Sequence, residues 1–287
     1  KPTHRRPSNP RLLGEEGYPD GDRLEALAAW MTSPANRRFA RSQVNRIWFH
    51  CMGRGLVEPV DDLRDTNPAS HPELLEQLTD HFIASGHDVR GLVRLICTSQ
   101  TYGLASQHPA PGPLVDDPQL YARAIVRRRS AERILDAQVA ALGVAARFEG
   151  YDEGTRAGEL AGVERVRRKA ADGDEFLRLF GKPERLLACE CERSNEPTLS
   201  QALTLVGGPG LNRRLAADAN RLTQLLSADL SPEAIVDELF WAALVRPPTA
   251  DEKASAVAAF AAAATPREAA EDLAWALVNA KELLFRN

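Results

Sequence analysis

Arg41, Asn45 and Trp48 follow one another at spacings of four and three, which on a helix puts a guanidinium, an amide and an indole on one face. Arg46 lies beside them, and Asp61 and Asp62 come in the next segment. A guanidinium bordering an apolar stripe needs a carboxylate or carbonyl partner, and these two acids are candidates for that role. Two arrangements fit. One is an Arg/Asn/Asp pocket for an anionic or sugar-like ligand, with Trp48 as a stacking face. The other is an internal polar network that pins segment 54–69 to the helix. Further on, Ser70-His71-Pro72-Glu73 reads as a capping box with proline in the first turn. His71 would sit where the helix N-terminus disfavours its cation, which makes a general base or a metal ligand the chemical alternative to plain capping.

The second group is Cys189-Glu190-Cys191-Glu192-Arg193-Ser194-Asn195-Glu196-Pro197. Three readings of Cys189 and Cys191 stay open: a disulfide to Cys51 or Cys97, two packed thiols, or a redox or metal pair. Residues two apart in an extended chain have Cα atoms about 6.8 Å apart, so a bridge between the two needs a bent backbone. A structural zinc needs four ligands, and no metal site is assigned. Glu192, Arg193 and Asn195 join the candidate polar cluster. Glu190 and Glu192 face the same way in an extended chain, so no catalytic carboxylate pair is assigned. There is no Cys-x-x-Cys-His for haem attachment, and this segment is expected to hold no cofactor. Walker, His-Glu-x-x-His, Gly-x-Ser-x-Gly and dinucleotide glycine motifs are missing too. The six His all lie between His4 and His108, which confines His chemistry to the first third of the chain.

Helices must position these groups. Asp22 precedes an apolar-periodic stretch Arg23–Thr32. Ser33-Pro34 opens a helix with Ala40, Val44, Ile47, Trp48 and Cys51 on one stripe, and Gly53 stops it. The capping box opens a helix to Ser85, with Gly86 as its stop. Asp88 caps Val89–Tyr102, Asp117-Pro118 opens a helix to about Arg127, and Ser130 caps Ala131–Leu142, closed by Gly143. Thr198 or Ser194 can cap a helix through Gln201 and Leu205. Ser231 starts another helix, Thr249–Glu252 and Thr265–Glu268 read as capping boxes opening two more, and the last carries one apolar series through Leu284. Ala256–Ala264 reads as helix interior, and Trp30, Trp48, Trp241 and Trp275 as core. Arg127-Arg128-Arg129 reads as a solvated helix end. Only Leu187–Cys191 alternates like a strand.

The prediction is an all-α fold, an irregular multi-helix domain of about ten helices with two long ordered loops, 54–69 and 183–197. Residues 1–21 read as a tail or linker of a longer protein. Residues 22–287 read as a single helical domain, with subregions 22–105 and 117–287 joined by a Pro-rich linker. Over 287 residues, 44% apolar and 26% charged side chains are ordinary for a globular chain. No apolar run approaches the roughly 18 residues of a membrane span, so no membrane insertion is expected. A net charge of −4 argues against a nucleic-acid partner.

Three blocks carry a family likeness: Leu27–Val57 with Asp61-Asp62, Ser70–Leu75 and Leu92–Tyr102; then Cys189–Pro197 with Gln201-Ala202-Leu203; then Arg246–Thr249 with Leu273–Phe285. Together they resemble a planctomycete-specific domain of unknown function found beside planctomycete-type cytochrome c domains. The resemblance implies the C-terminal part of a large exported protein in an extracytoplasmic setting, periplasmic or at the cell surface. The implied partners are upstream domains of the same polypeptide, with any haem in a separate domain. It supplies no reaction. The function expected is therefore a non-enzymatic module that docks neighbouring domains or binds a partner or polysaccharide. A polysaccharide-active hydrolase or lyase using Asp61, Asp62, Glu190 or Glu192 with Arg41 and His71 is the alternative, and a thiol redox module using Cys189 and Cys191 the second.

Overall fold

The computed structural model describes residues 22–110, 112–160, 171–182 and 197–286. They form two compact units, one up to Val126 and one spanning Arg127–Arg286. The fold is essentially all-α; the described residues add to the helices only a two-stranded antiparallel ribbon.

The N-terminal unit holds α1 (Arg23–Met31), α2 (Arg37–Met52), α3 (Pro72–Ala84), α4 (Val89–Cys97) and the single turn α5 (Pro113–Asp116). The Asp22 carboxylate accepts the Leu24 N–H at 2.7 Å, and Asp88 accepts that of Gly91 at 3.0 Å. These caps satisfy donors that the helix itself leaves orphaned. Gly53 ends α2 in the left-handed region at φ 93°. The predicted start of α2 shifts: the Ser33 hydroxyl serves a local turn to Ala35, and Asn36 stands at the N-cap. The predicted box at α3 does not form. His71 occupies the cap position without a side-chain bond to the helix N-terminus, and the Ser70 hydroxyl donates instead to the Leu56 carbonyl. α4 stops at Cys97, short of the predicted Tyr102. The helix predicted from Asp117 gives way to turns in which Tyr121 takes a left-handed backbone, φ 50°. α2 packs on α3 and α4, burying Val44, Trp48, Leu75, Phe82, Leu92 and Ile96 among others. Each such side chain stabilises the fold by roughly 1.5–3 kcal/mol.

The C-terminal unit is built on α6 (Ala131–Leu142) and also contains α7 (Asp172–Leu179), α8 (Leu199–Gly207), α9 (Pro209–Leu215), α10 (Arg221–Ser227), α11 (Pro232–Leu244), α12 (Ala250–Ala262), α13 (Pro266–Val278) and α14 (Lys281–Leu284). One side of α6 contributes Ala141 and Leu142 to a core with α9–α13. Its N-terminal half contributes Ala131, Ile134 and Leu135 to a second core, with Phe148, Phe176 and Phe180. Thr198 and Ser231 cap α8 and α11 and a capping box opens α12 at Thr249 as predicted, whereas Thr265 caps α13 through the Glu268 N–H without the predicted box.

Three expectations fail here. The last helix breaks after Val278: the Asn279 amide donates back to the Trp275 carbonyl at 2.9 Å, and Ala280 is extended. The break frees Phe285–Arg286 (β2) to pair antiparallel with Arg127–Arg128 (β1), so the basic run is a strand and not a helix end. Trp241 and Trp275 are substantially exposed and outside the core, unlike Trp48. The strand-like run Leu187–Cys191 lies outside the described residues.

Candidate functional site

The candidate site in the N-terminal unit is the meeting of α2 with segment 54–70. Asn45, wholly buried on α2, faces that segment edge-on. Its side-chain N–H groups donate to the Val57 and Val60 carbonyls, both at 2.9 Å. Its oxygen accepts the Val57 N–H at 3.0 Å. One amide thus satisfies three backbone groups that have no helix or sheet partner, as burial requires. The approach is so close that a Cβ on Gly55 would lie 2.5 Å from the Val57 carbonyl oxygen and 3.1 Å from Asn45 Nδ2. Only glycine fits there.

Other neutral groups continue the pattern. Asn67 donates to the carbonyls of Glu58 and Asp62 at 3.0 and 2.9 Å. The Ser70 N–H and hydroxyl both reach the Leu56 carbonyl. The Tyr121 hydroxyl donates to the Gly55 carbonyl at 2.8 Å, with that of Arg54 at 3.2 Å. Burial raises the pKa of this phenol above its usual value, which keeps it a neutral donor. Its ring meets Trp48 edge-on at 5.4 Å, the favoured aromatic geometry. Trp48 is therefore packed against protein, not presented as a stacking face.

The charged candidates pair around this neutral centre, though not as predicted. Arg41 meets Glu76 of α3 at 2.9 Å, and neither Asp61 nor Asp62. It lies one helical turn before Asn45, on the side where α3 packs, and Arg37 joins it on Glu76 and on Asp80. Arg46 is the residue that reaches Asp61, at 2.7 Å. Asp62 turns to Arg64, whose guanidinium holds the carboxyl below its usual pKa. His71 places Nε2 2.9 Å from the Gln119 carbonyl oxygen. A carbonyl oxygen only accepts, so Nε2 donates there and the ring is held in that orientation. His71 and Glu73 also line an open hollow of about 420 Å³ with Ser70, Leu74 and Gln77.

Asn45, Arg46, Trp48, Asp61 and Asp62 are thus gathered at segment 54–70, while Arg41 turns to α3; the buried Trp48 Nε1 has no hydrogen-bond partner among the described residues. Glu192, Arg193, Asn195, Cys189 and Cys191, with Glu190, lie outside the described residues. Among the described residues no group of His, Cys, Asp and Glu could hold a metal ion. Chemically, the Asn45 arrangement fixes a backbone, while His71 and Glu73 face the open hollow.

The sequence reading missed Tyr121, Asn67 and Glu76. Glu76 was findable: Glu76 and Asp80 repeat at the same spacing of four as Arg37 and Arg41, the signature of a ladder between two helices. It also missed the arginine clamps of the C-terminal unit. Arg246 forks onto both oxygens of Glu252 and both of Glu282, all at 2.8 Å. These partners push the Arg246 pKa up and lower that of Glu252 to about 2. Arg128 donates to the buried Gln201 at 2.7 Å and lies over the Phe180 ring. Burial lowers its pKa.

The fold and this site define an all-α module whose polar side chains are directed at its own backbone and helix ends. A family model described as PSD1, protein of unknown function (DUF1553), matches residues 22–260, and the chain belongs to that family. No curated protein and no solved structure matches the chain.

Proposed function

We propose that this chain is a non-enzymatic helical module of an exported multidomain protein, and that it docks neighbouring domains of the same polypeptide. The observation that carries the reading is the pairing of the catalytic candidates. Arg41, Arg46, Asp61 and Asp62 meet protein charges, and Asn45 is consumed by the backbone. A site for hydrolysis or elimination needs carboxylates or a base aimed at an open cleft. The planctomycete, cytochrome-associated and extracytoplasmic setting belongs to this proposal and rests on the sequence blocks 27–57, 189–203 and 246–285. Any c-type haem is placed in a separate domain. No helix among the described residues is long and apolar enough to cross a membrane.

The test uses the full polypeptide and the chain alone, each assayed for turnover on a panel of plant and algal polysaccharides, with capture of the upstream domains measured in parallel. Saturable capture with no turnover is expected. Turnover that disappears in His71→Ala or Asp61→Asn would overturn the reading.

A further inference from the structure

One surface of the C-terminal unit adjoins the Arg246 clamp. α12 and α13 run as a hairpin, and between them lies a groove of about 600 Å³ floored by Phe240, Ala256, Leu273 and Leu277. Exposed Ala259 and Ala276 form part of its walls. Between Lys253 and Arg267 the chain carries no charged side chain, although Ala254, Ala258, Ala259, Ala261 and Ala262 all face solvent. A solvent-facing helix surface normally carries charge. Three carboxylates line the groove: Asp251, Glu252 and Asp272. Glu252 is neutralised by Arg246 at 2.8 Å. Asp251 and Asp272 have no cationic partner among the described residues.

We infer that this groove docks a basic amphipathic helix, with small apolar side chains against the alanine walls and Lys or Arg against Asp251 and Asp272. Alanine walls allow a third helix to approach at the roughly 8–10 Å of packed pairs, and a helix laid in an apolar groove is a recurrent recognition mode. The two unpaired carboxylates select the sign of the partner: they repel an acidic helix and steer a basic one. The inference rests on the docking reading and names the chemistry of one docked element.

The experiment uses the whole chain and two synthetic helical peptides of about 15 residues. They share one Ala/Leu face and differ only in Lys or Glu flanks; binding is read by fluorescence anisotropy. The Lys peptide should bind, weaken as ionic strength rises, and lose at least about tenfold in affinity with Asp251→Asn/Asp272→Asn. Asp251→Lys/Asp272→Lys should reverse the preference to the Glu peptide, and Ala276→Trp should block both peptides. Circular dichroism melts confirm that each variant folds. Absence of binding, equal binding of both peptides, or indifference to Ala276→Trp would overturn the inference. So would self-association that Ala276→Trp abolishes, since the occupant would then be a second copy. If the upstream domains are still captured while the peptides fail, the groove assignment falls and the docking reading stands.

Discussion

The two units solve the same problem, holding irregular backbone against helices, with different shares of neutral and charged groups. In the N-terminal unit the work falls mostly to neutral groups, buried or half-buried. Asn45, Asn67, Ser70 and Tyr121 address carbonyls and one amide N–H of segment 54–70. In the C-terminal unit arginines share it with the buried amides Asn220 and Gln201, which donate to the Arg214, Leu215 and Leu179 carbonyls. Arg246 joins the start of α12 to α14. Arg267 reaches the Leu215 carbonyl and the Thr223 hydroxyl, both at 2.6 Å. A buried amide leaves an unpaired backbone group behind when it is removed, whereas a half-exposed guanidinium is partly replaced by water. The polar residues most suggestive of chemistry in the sequence are therefore the most structural in the fold.

The comparison breaks most clearly at Asn45. Asn45→Ala orphans the Val57 N–H and the Val57 and Val60 carbonyls, and should cost about 3 kcal/mol or more in urea unfolding. A loss under about 1 kcal/mol would mean that water replaces the amide and that the site is open. Next in size, Tyr121→Phe keeps the ring on Trp48 but removes the donor to Gly55. About 1–2 kcal/mol is expected, with the Trp48 environment unchanged by fluorescence. Arg246→Ala should cost only about 1 kcal/mol after solvent screening and become milder in high salt. Salt should leave the effect of Asn45→Ala unchanged. The smallest effect belongs to Arg41→Ala, about 0.5 kcal/mol, because its pair with Glu76 is about 40% exposed on each side.

pH sharpens the same contrast. Glu252 is held at about 2 against its ordinary 4.5, so its pairing stabilises the folded chain above pH 4.5. That contribution is lost as pH falls from 4.5 through 2. Acid titration of the C-terminal unit should show this loss, and Glu252→Gln should remove it. The Asn45 contacts carry no titrating group and should hold across that window.

Much of the architecture was legible because helix caps are local. Asp22, Asp88, Thr198, Ser231, Thr249 and Thr265 each meet an N–H two or three residues on, so residue type and spacing suffice. Three of the failures share one cause, a distant competitor. Ser70 has the right neighbours for a capping box, but Leu56, fourteen residues back, offers its carbonyl to the hydroxyl. Tyr121 leaves its predicted helix because its hydroxyl reaches Gly55 across sixty-six residues. Arg41 and Asp61 were paired as sequence neighbours, yet the packing of α3 sets Glu76 against Arg41. The polar cluster was thus legible as a set of residues and not as a set of pairs.

The most direct test of the account is native-state hydrogen exchange at the Val57 amide, which sits in a loop yet donates to buried Asn45 Oδ1 at 3.0 Å. The account predicts protection close to that of the α2 and α3 core amides, falling to loop-like exchange in Asn45→Ala while those helices stay protected. Rapid exchange of the Val57 amide in the unmodified chain would contradict it, because Asn45 and its charged neighbours would then be available to a ligand.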